Sequence, residues 1–204
     1  MLYINFLGYE LSPSSRVGYS VILVKKLRME SKSRIGNLNY IKGIDLVELK
    51  EDAGIGRFNF ITGFPSNYNS SFGHLIGRKA ELVLGKSSSI TMRHYIDCTC
   101  GVYLGEFALV AGLGTQFLSH SIDLKENKQS GEKVEIGNYS FVGSACILLP
   151  GTKLPDFSML GAGSVLAHSF GDSDSLYSGV PAKKVKSLVR EEYSFFKRTI
   201  GFVK

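Results

Sequence analysis

The sequence predicts an all-β solenoid in which short strands are wound into coils on a six-residue repeat. Three observations carry this. An aliphatic residue recurs every six positions at Leu84, Ile90 and Ile96. After a two-residue slip the series continues at Leu104, Val110 and Gln116, and after a second break at Ile136, Val142, Leu148, Leu154 and Leu160; only Gln116 is not aliphatic. Four residues beyond each of these stand Ser88, His94, Cys100, Ala108, Gly114, His120, Ser140, Cys146, Thr152, Ser158 and Ser164, all small except the two histidines. Glycine directly follows the aliphatic position at Gly85, Gly105, Gly137, Gly143 and Gly161, where a corner needs a permissive backbone. A period of six fits neither a helix at 3.6 nor a lone strand at 2. It fits strands joined by turns, with the aliphatic residue pointing inward and the small residue at the bend. One hexad cannot bury its own apolar face, so stacked neighbours, spaced roughly 4.8 Å apart, must do so.

The elements follow from this frame. Residues 1–81 read as an irregular N-terminal segment, with a candidate early coil in RIGNLNYIKGID (34–45) from Ile35, Ile41 and Val47. FITGFPSNYNSS (60–71) is polar and punctuated by Gly and Pro, which predicts a loop. Residues 82–185 form the repeat region. Its frame is broken by the polar segment IDLKENKQSGEKVE (122–135), which predicts a loop protruding over about 123–134. Residues 186–204 read as a basic C-terminal helix, amphipathic from Lys186 to Arg198, with Leu188, Val189, Phe195 and Phe196 as apolar contacts.

Composition limits the class of protein. The 204 residues suit one domain, and 44% hydrophobic with 21% charged residues predicts a globular chain rather than a disordered one. There is no apolar run of about 18 residues, so no membrane span is expected. The start MLYINFLGYELSPSS lacks the pattern of a secretory signal. The three cysteines, Cys98, Cys100 and Cys146, are an odd number with no zinc-knuckle spacing; they read as small buried residues in a reducing, cytoplasmic setting. Between Lys183 and Lys204 seven Lys or Arg face two Glu, so this tail holds +5 of the net +6. Such a tail suits the phosphates of a cofactor, a nucleic acid or a membrane surface, or else is a solvated face. No nucleic-acid module accompanies it, and no phosphate-binding glycine motif of the Walker or Rossmann type occurs.

The repeat, together with LSHSID (118–123), GAGS (161–164) and GVPAKKV (179–185), resembles the hexapeptide-repeat acyltransferases over about Leu82 to Val185, half the chain. ITMRHYIDCTCGVYLG (90–105) is similar to a stretch found in acetyltransferases of polysaccharide biosynthesis. The resemblance implies a left-handed parallel β-helix with three hexads per triangular coil, against the right-handed rule for ordinary parallel crossovers. It further implies a homotrimer with sites between subunits, acetyl-CoA as co-substrate without a metal, and a small-molecule or oligosaccharide sugar as acceptor.

Acyl transfer to a hydroxyl needs a group that takes the hydroxyl proton, and a histidine suits this. His120 stands in a position that otherwise holds a small residue, just before the loop; in the resembling family the catalytic histidine has this place. His94 breaks the same small-residue rule and remains open as catalyst, acceptor contact or structural residue. Asp97 is either the partner of a catalytic imidazole, an acceptor contact or a turn residue. Arg93 is a candidate to pair with Asp97 or with an anionic acceptor. The resemblance implies cofactor binding by Ser144 and Ala162 along pantetheine, by Lys183 at the phosphates, and by His168 near the cofactor; His74 and His168 otherwise read as surface histidines. The resemblance points first to a sugar hydroxyl of a capsule or O-antigen precursor, and second to the amine of a nucleotide-linked sugar. A non-catalytic β-helix scaffold is the rival from another class. A γ-type carbonic anhydrase, which needs three metal-binding histidines, lacks the close histidine pair.

Overall fold

The structure, a computed structural model, describes residues 8–201. The first seven residues of the stretch read as lacking a signal, and the last basic residue of the tail, Lys204, lie outside them. Three parallel sheets form the sides of a left-handed β-helix. The first sheet has seven strands, from Glu10–Leu11 through Lys26–Met29, Leu46–Leu49, Glu81–Leu84, Val102–Leu104 and Val134–Ile136 to Lys153–Leu154. The second has nine, including Gly54–Arg57, Ser89–Met92, Leu109–Val110, Phe141–Val142 and Met159–Leu160, and ends in Ser175–Gly179 with the antiparallel Ala182–Ser187. The third has seven, among them Val21–Leu23, Tyr40–Lys42, Phe60–Thr62, Tyr95–Asp97, Gln116–Phe117, Ile147–Leu148 and Val165–Leu166.

The core is the stack of inward residues along the axis. All ten aliphatic positions of the frame are buried in it. Gln116 is exposed, and Phe117 takes the inward place, in register with Ile96 and Leu148. The turn from Val110 to Phe117, containing Gly112 and Gly114, is one residue longer than its neighbours. The bend position therefore falls on the buried Thr115, not on Gly114. The same slip moves His120 out of the small-residue position, so that part of the argument for it does not hold; its side chain is 30% exposed. For His94 the argument does hold, since it is 0% exposed at its corner.

The N-terminal segment is not irregular. Ile35, Ile41 and Val47 point inward as expected, and another coil precedes them, with Leu27 and Met29 buried. Among the described residues regular coiling is thus present from Glu10, well before residue 82. After the first strand, Glu10–Leu11, the strands of the first sheet in these coils bury two residues each, as at Val47 and Leu49 or Leu82 and Leu84. A coil then runs 20 positions, from Met29 to Leu49, instead of 18. This is the slip that appears between Ile96 and Leu104.

The C-terminal helix takes the form of two 3-10 turns, Arg190–Glu192 and Ser194–Lys197, after the strand that ends at Ser187. Leu188 and Phe196 are buried as expected, whereas Val189 is exposed. The segment folds back along a corner where Phe107, Tyr139 and Phe157 stack face to face at 4.6 and 5.2 Å. Phe196 meets Phe157 edge-on, and the Arg190 guanidinium lies 3.4 Å over the Phe157 ring while chelating Asp174 at 2.8 Å. Two tight turns let Phe195, Phe196 and Arg198 all reach this corner. Arg190 and Arg198 are therefore engaged within the chain rather than offered to an anionic partner.

Candidate functional site

Strand Tyr95–Asp97 alternates outward, inward, outward, so Ile96 enters the core and Asp97 stands at the corner between the third and first sheets. One coil on, the chain leaves the helix at Ser119 and forms the antiparallel hairpin His120–Asp123 with Lys128–Gly131, which is the predicted loop. The hairpin returns tightly: a Cβ on Gly131 would lie 2.5 Å from Cys100 Sγ and 2.7 Å from Ser119 O, so glycine is required there. Its base sets His120 directly over Asp97.

The His120 Nδ1–H donates to Asp97 Oδ2 at 2.6 Å. The same oxygen accepts from the backbone N–H groups of Ser119 (2.8 Å) and His120 (3.0 Å) and from the Ser119 hydroxyl (2.9 Å). Asp97 Oδ1 accepts from the Thr99 N–H at 3.0 Å and from its hydroxyl. Burial pushes the Asp97 carboxyl up, but the hydrogen bonds from His120 and Thr99 and the imidazole's charge outweigh it and hold the group below the ordinary carboxylate value. An ionised Asp97 fixes the tautomer in which Nδ1 carries the proton and Nε2 carries the lone pair. Such an imidazole can accept a proton at Nε2 while the carboxylate stabilises the resulting cation.

Residues 63–80, between strands Phe60–Thr62 and Glu81–Leu84, leave the coil and lie over this pair. Phe64 and Phe72 meet the His120 ring edge-on at 6.0 and 5.7 Å. Arg78 ties the segment down: its guanidinium donates to the carbonyls of Phe64 (2.6 Å), Pro65 (2.7 Å) and Thr99 (2.7 Å) and lies 4.7 Å from the Phe72 ring centroid. The Phe64 N–H donates to Thr99 Oγ1, which in turn holds Asp97. His74 bonds across to the hairpin through Gln129 O at 2.7 Å. Residues 60–71 thus begin as strand and continue as an ordered cover, including the short helix Asn69–Phe72. Sequence reasoning missed Thr99, Ser119, Phe64, Phe72 and Arg78; the break in periodicity after Ile61 was the signal.

The other predicted residues stand elsewhere. His94 is enclosed: its Nδ1 accepts the Thr115 N–H at 3.1 Å and its Nε2–H donates to Thr91 Oγ1 at 3.0 Å, so it reaches no acceptor. Burial lowers its pKa to about 4. Arg93 lies at the opposite end of the strand from Asp97, over the Phe58 ring, and does not pair with it. Ser144 and Ala162 occupy successive coils at the corner between the second and third sheets, where the Gly163 N–H donates to Ser144 O. Lys183 is exposed on the terminal strand, opposite Ser178. His168 is exposed and meets Phe170 edge-on at 4.8 Å, at the corner that carries His120. Ser144 and Ala162 are therefore separated from His120 by the full width of the third sheet.

The chain matches a hexapeptide-repeat-containing acetyltransferase from Vibrio cholerae O1 biovar eltor, complexed with acetyl-CoA, at TM-score 0.55 and 17% identity over 70% of this chain and 71% of that one. In another structure of that Vibrio protein the match spans 63% of its chain. The chain has the fold of the hexapeptide-repeat transferases. A hexapeptide transferase family protein from Anaplasma phagocytophilum matches at TM-score 0.51 and 17% identity, over 93% of this chain and 85% of that one. A variant of AntD, an N-acyltransferase from Bacillus cereus in complex with dTDP-4-amino-4,6-dideoxyglucose and coenzyme A, matches at 0.56 and 19%, over 87% and 85%. No protein-family model matches the chain. Among the described residues no helix is long and apolar enough to cross a membrane.

Proposed function

We propose that the chain is a cytoplasmic acetyltransferase that moves an acetyl group from acetyl-CoA to a sugar hydroxyl, with His120 as general base, in building a cell-surface polysaccharide. The observation that carries this is the 2.6 Å contact of His120 with an ionised Asp97 beneath an aromatic cover. The acceptor oxygen attacks the thioester carbonyl while its proton passes to His120 Nε2. The carbon–sulfur bond then breaks, and the proton returns to the departing thiolate, leaving an acetyl ester and coenzyme A. Asp97 holds the imidazole and offsets its transient charge. Ser144 and Ala162 line the pantetheine, and Lys183 meets the phosphates as a point charge. Because these residues and His120 stand on opposite edges of one sheet, we take the site to be completed by a neighbouring copy in a homotrimer, with His168 close to the neighbour's cofactor.

A second reading, transfer to the amine of a nucleotide-linked sugar, is favoured by the AntD complex with its amino sugar and coenzyme A. The test is acetyl-CoA turnover with a panel of sugars and amino sugars, for the native protein and for His120→Ala, with coenzyme A binding measured for both. We expect the variant to keep its binding and lose at least about a hundredfold in rate. Equal rates remove His120 as base. A product that resists hydroxylamine is an amide and selects the second reading, and absence of coenzyme A binding leaves a scaffold.

A further inference from the structure

We infer that Phe64 and Tyr68 seat the sugar ring of the acceptor, stacking against its C–H face beside the imidazole that takes its proton. The inference rests on the acceptor being a sugar, as proposed above. Within the segment that covers His120, three aromatics have divided roles. Phe72 is 2% exposed and is its anchor, in contact with both Phe64 and Tyr68. Phe64 and Tyr68 pack together at 5.1 Å yet are each 41% exposed. They are not loose surface residues. The Phe64 N–H is bonded to Thr99 and its carbonyl to Arg78, and Ser66 donates to Asp45 Oδ2 at 2.8 Å. A segment pinned this firmly, with two large aromatic surfaces facing water, is pre-organised for an apolar contact that the free chain lacks.

The other aromatic stacks do not have this character. Phe107, Tyr139 and Phe157 are covered by the C-terminal turns. Tyr40 and Phe60 lie nearly parallel, 11° apart, so each occupies the other's face. A groove of about 670 Å³, lined by His74, Lys79, Tyr103, Glu132 and Lys133 among others, lies beyond the base of the hairpin and does not include His120. Among the described residues, Phe64–Tyr68 is the exposed aromatic pair that adjoins the imidazole, through Phe64; Phe72, which also meets it, is buried. A pyranose with mostly equatorial hydroxyls turns axial C–H bonds out of its ring faces, and their slight positive charge suits the negative face of an aromatic ring. A ring stacked there directs an edge hydroxyl toward His120, whose imidazole centroid is 6.0 Å from that of Phe64.

The test uses methyl β-D-galactopyranoside and methyl β-D-glucopyranoside with the full-length protein and the double variant Phe64→Leu, Tyr68→Leu. Leucine keeps the apolar packing on Phe72 but has no ring face. Saturation-transfer NMR reads the contact without turnover, calorimetry reads coenzyme A binding, and light scattering reads the assembly. We expect the native protein to saturate the C–H protons of one sugar face. The variant should bind that glycoside about tenfold more weakly, with coenzyme A affinity unchanged within about twofold. Equal sugar affinity in both proteins overturns the proposal. So does a native protein that binds coenzyme A and neither glycoside, and so does a variant of lower mass, which assigns the aromatic pair to contact with a second copy. A native protein that binds a glycoside but no coenzyme A instead overturns the acetyltransferase reading while leaving the sugar seat in place.

Discussion

Lowering the pH from 7 to 4.5 will weaken this fold through one buried side chain, His94. In the unfolded chain this imidazole titrates near 6.5; in the fold burial lowers it to about 4. Between these values the unfolded chain takes up a proton and the folded one does not. Stability therefore rises with pH across the window and is lost as pH falls through it. A drop of about 2 pH units below 6.5 at about 1.4 kcal/mol each gives about 3 kcal/mol at pH 4.5, a large part of an ordinary domain's stability. Asp97, held below 3.8, contributes only at lower pH and leaves this window clear. His94→Asn isolates the effect. Asparagine already fills the preceding places of the same corner at Asn39 and Asn59, the latter accepting the His94 N–H at Oδ1 over 3.0 Å. Urea unfolding at half-unit steps from pH 7 to 4.5 should give native and variant profiles that diverge by about 1.4 kcal/mol per unit below 6.5. Parallel profiles would refute the assignment of His94 as a buried neutral group. The variant should also keep its turnover at pH 7, since His94 faces no substrate.

Asp97→Asn should lower kcat by about a hundred- to a thousandfold, because an amide donor at Nδ1 moves the imidazole proton to Nε2 and removes the lone pair; coenzyme A binding, by calorimetry, should not change. Arg78→Met removes three bonds to carbonyls and should loosen residues 63–80 by about 2 kcal/mol, seen as faster proteolysis within that segment and a kcat reduced about tenfold. Phe196→Ala should cost about 3 kcal/mol and free the C-terminal turns, seen as faster amide exchange over residues 190–201 while the coils keep their protection.

The coils after Leu84 were legible because their corners hold small residues and their inward positions keep step. Before Leu82 the corner that leads into the third sheet holds Asn39 and Asn59, which bond to one another and to neighbouring carbonyls. Broad polar residues in place of Ser or Cys hid the repeat, and the two inward residues per strand of the first sheet shifted its period. Gln116 broke the frame for a physical reason, a single extra turn residue, and this also misplaced His120. The loop after His120 was visible as polarity, and the pairing of His120 with Asp97 was among the roles that the sequence left open for Asp97. The cover from Phe64 to Arg78 was not legible. Its contacts join residues far apart in the chain, and no local pattern records that Arg78 will reach Thr99 or that Phe72 will meet an imidazole.

A parallel stack of identical coils has no intrinsic end. Its last strand offers a full row of free N–H and C=O groups, and a second molecule could continue it, as fibrils grow. In the second sheet this is prevented by the reversal after Gly179. Ala182–Ser187 runs antiparallel and carries Lys183, Lys184 and Lys186 outward on the terminal edge. A further molecule presenting the same strand would set these ammonium groups against its own. Lys183, which we propose meets the cofactor's phosphates, therefore also acts as a gatekeeper together with Lys184 and Lys186, and neutralisation of the three, by acetylation for instance, would remove a barrier to end-to-end polymerisation.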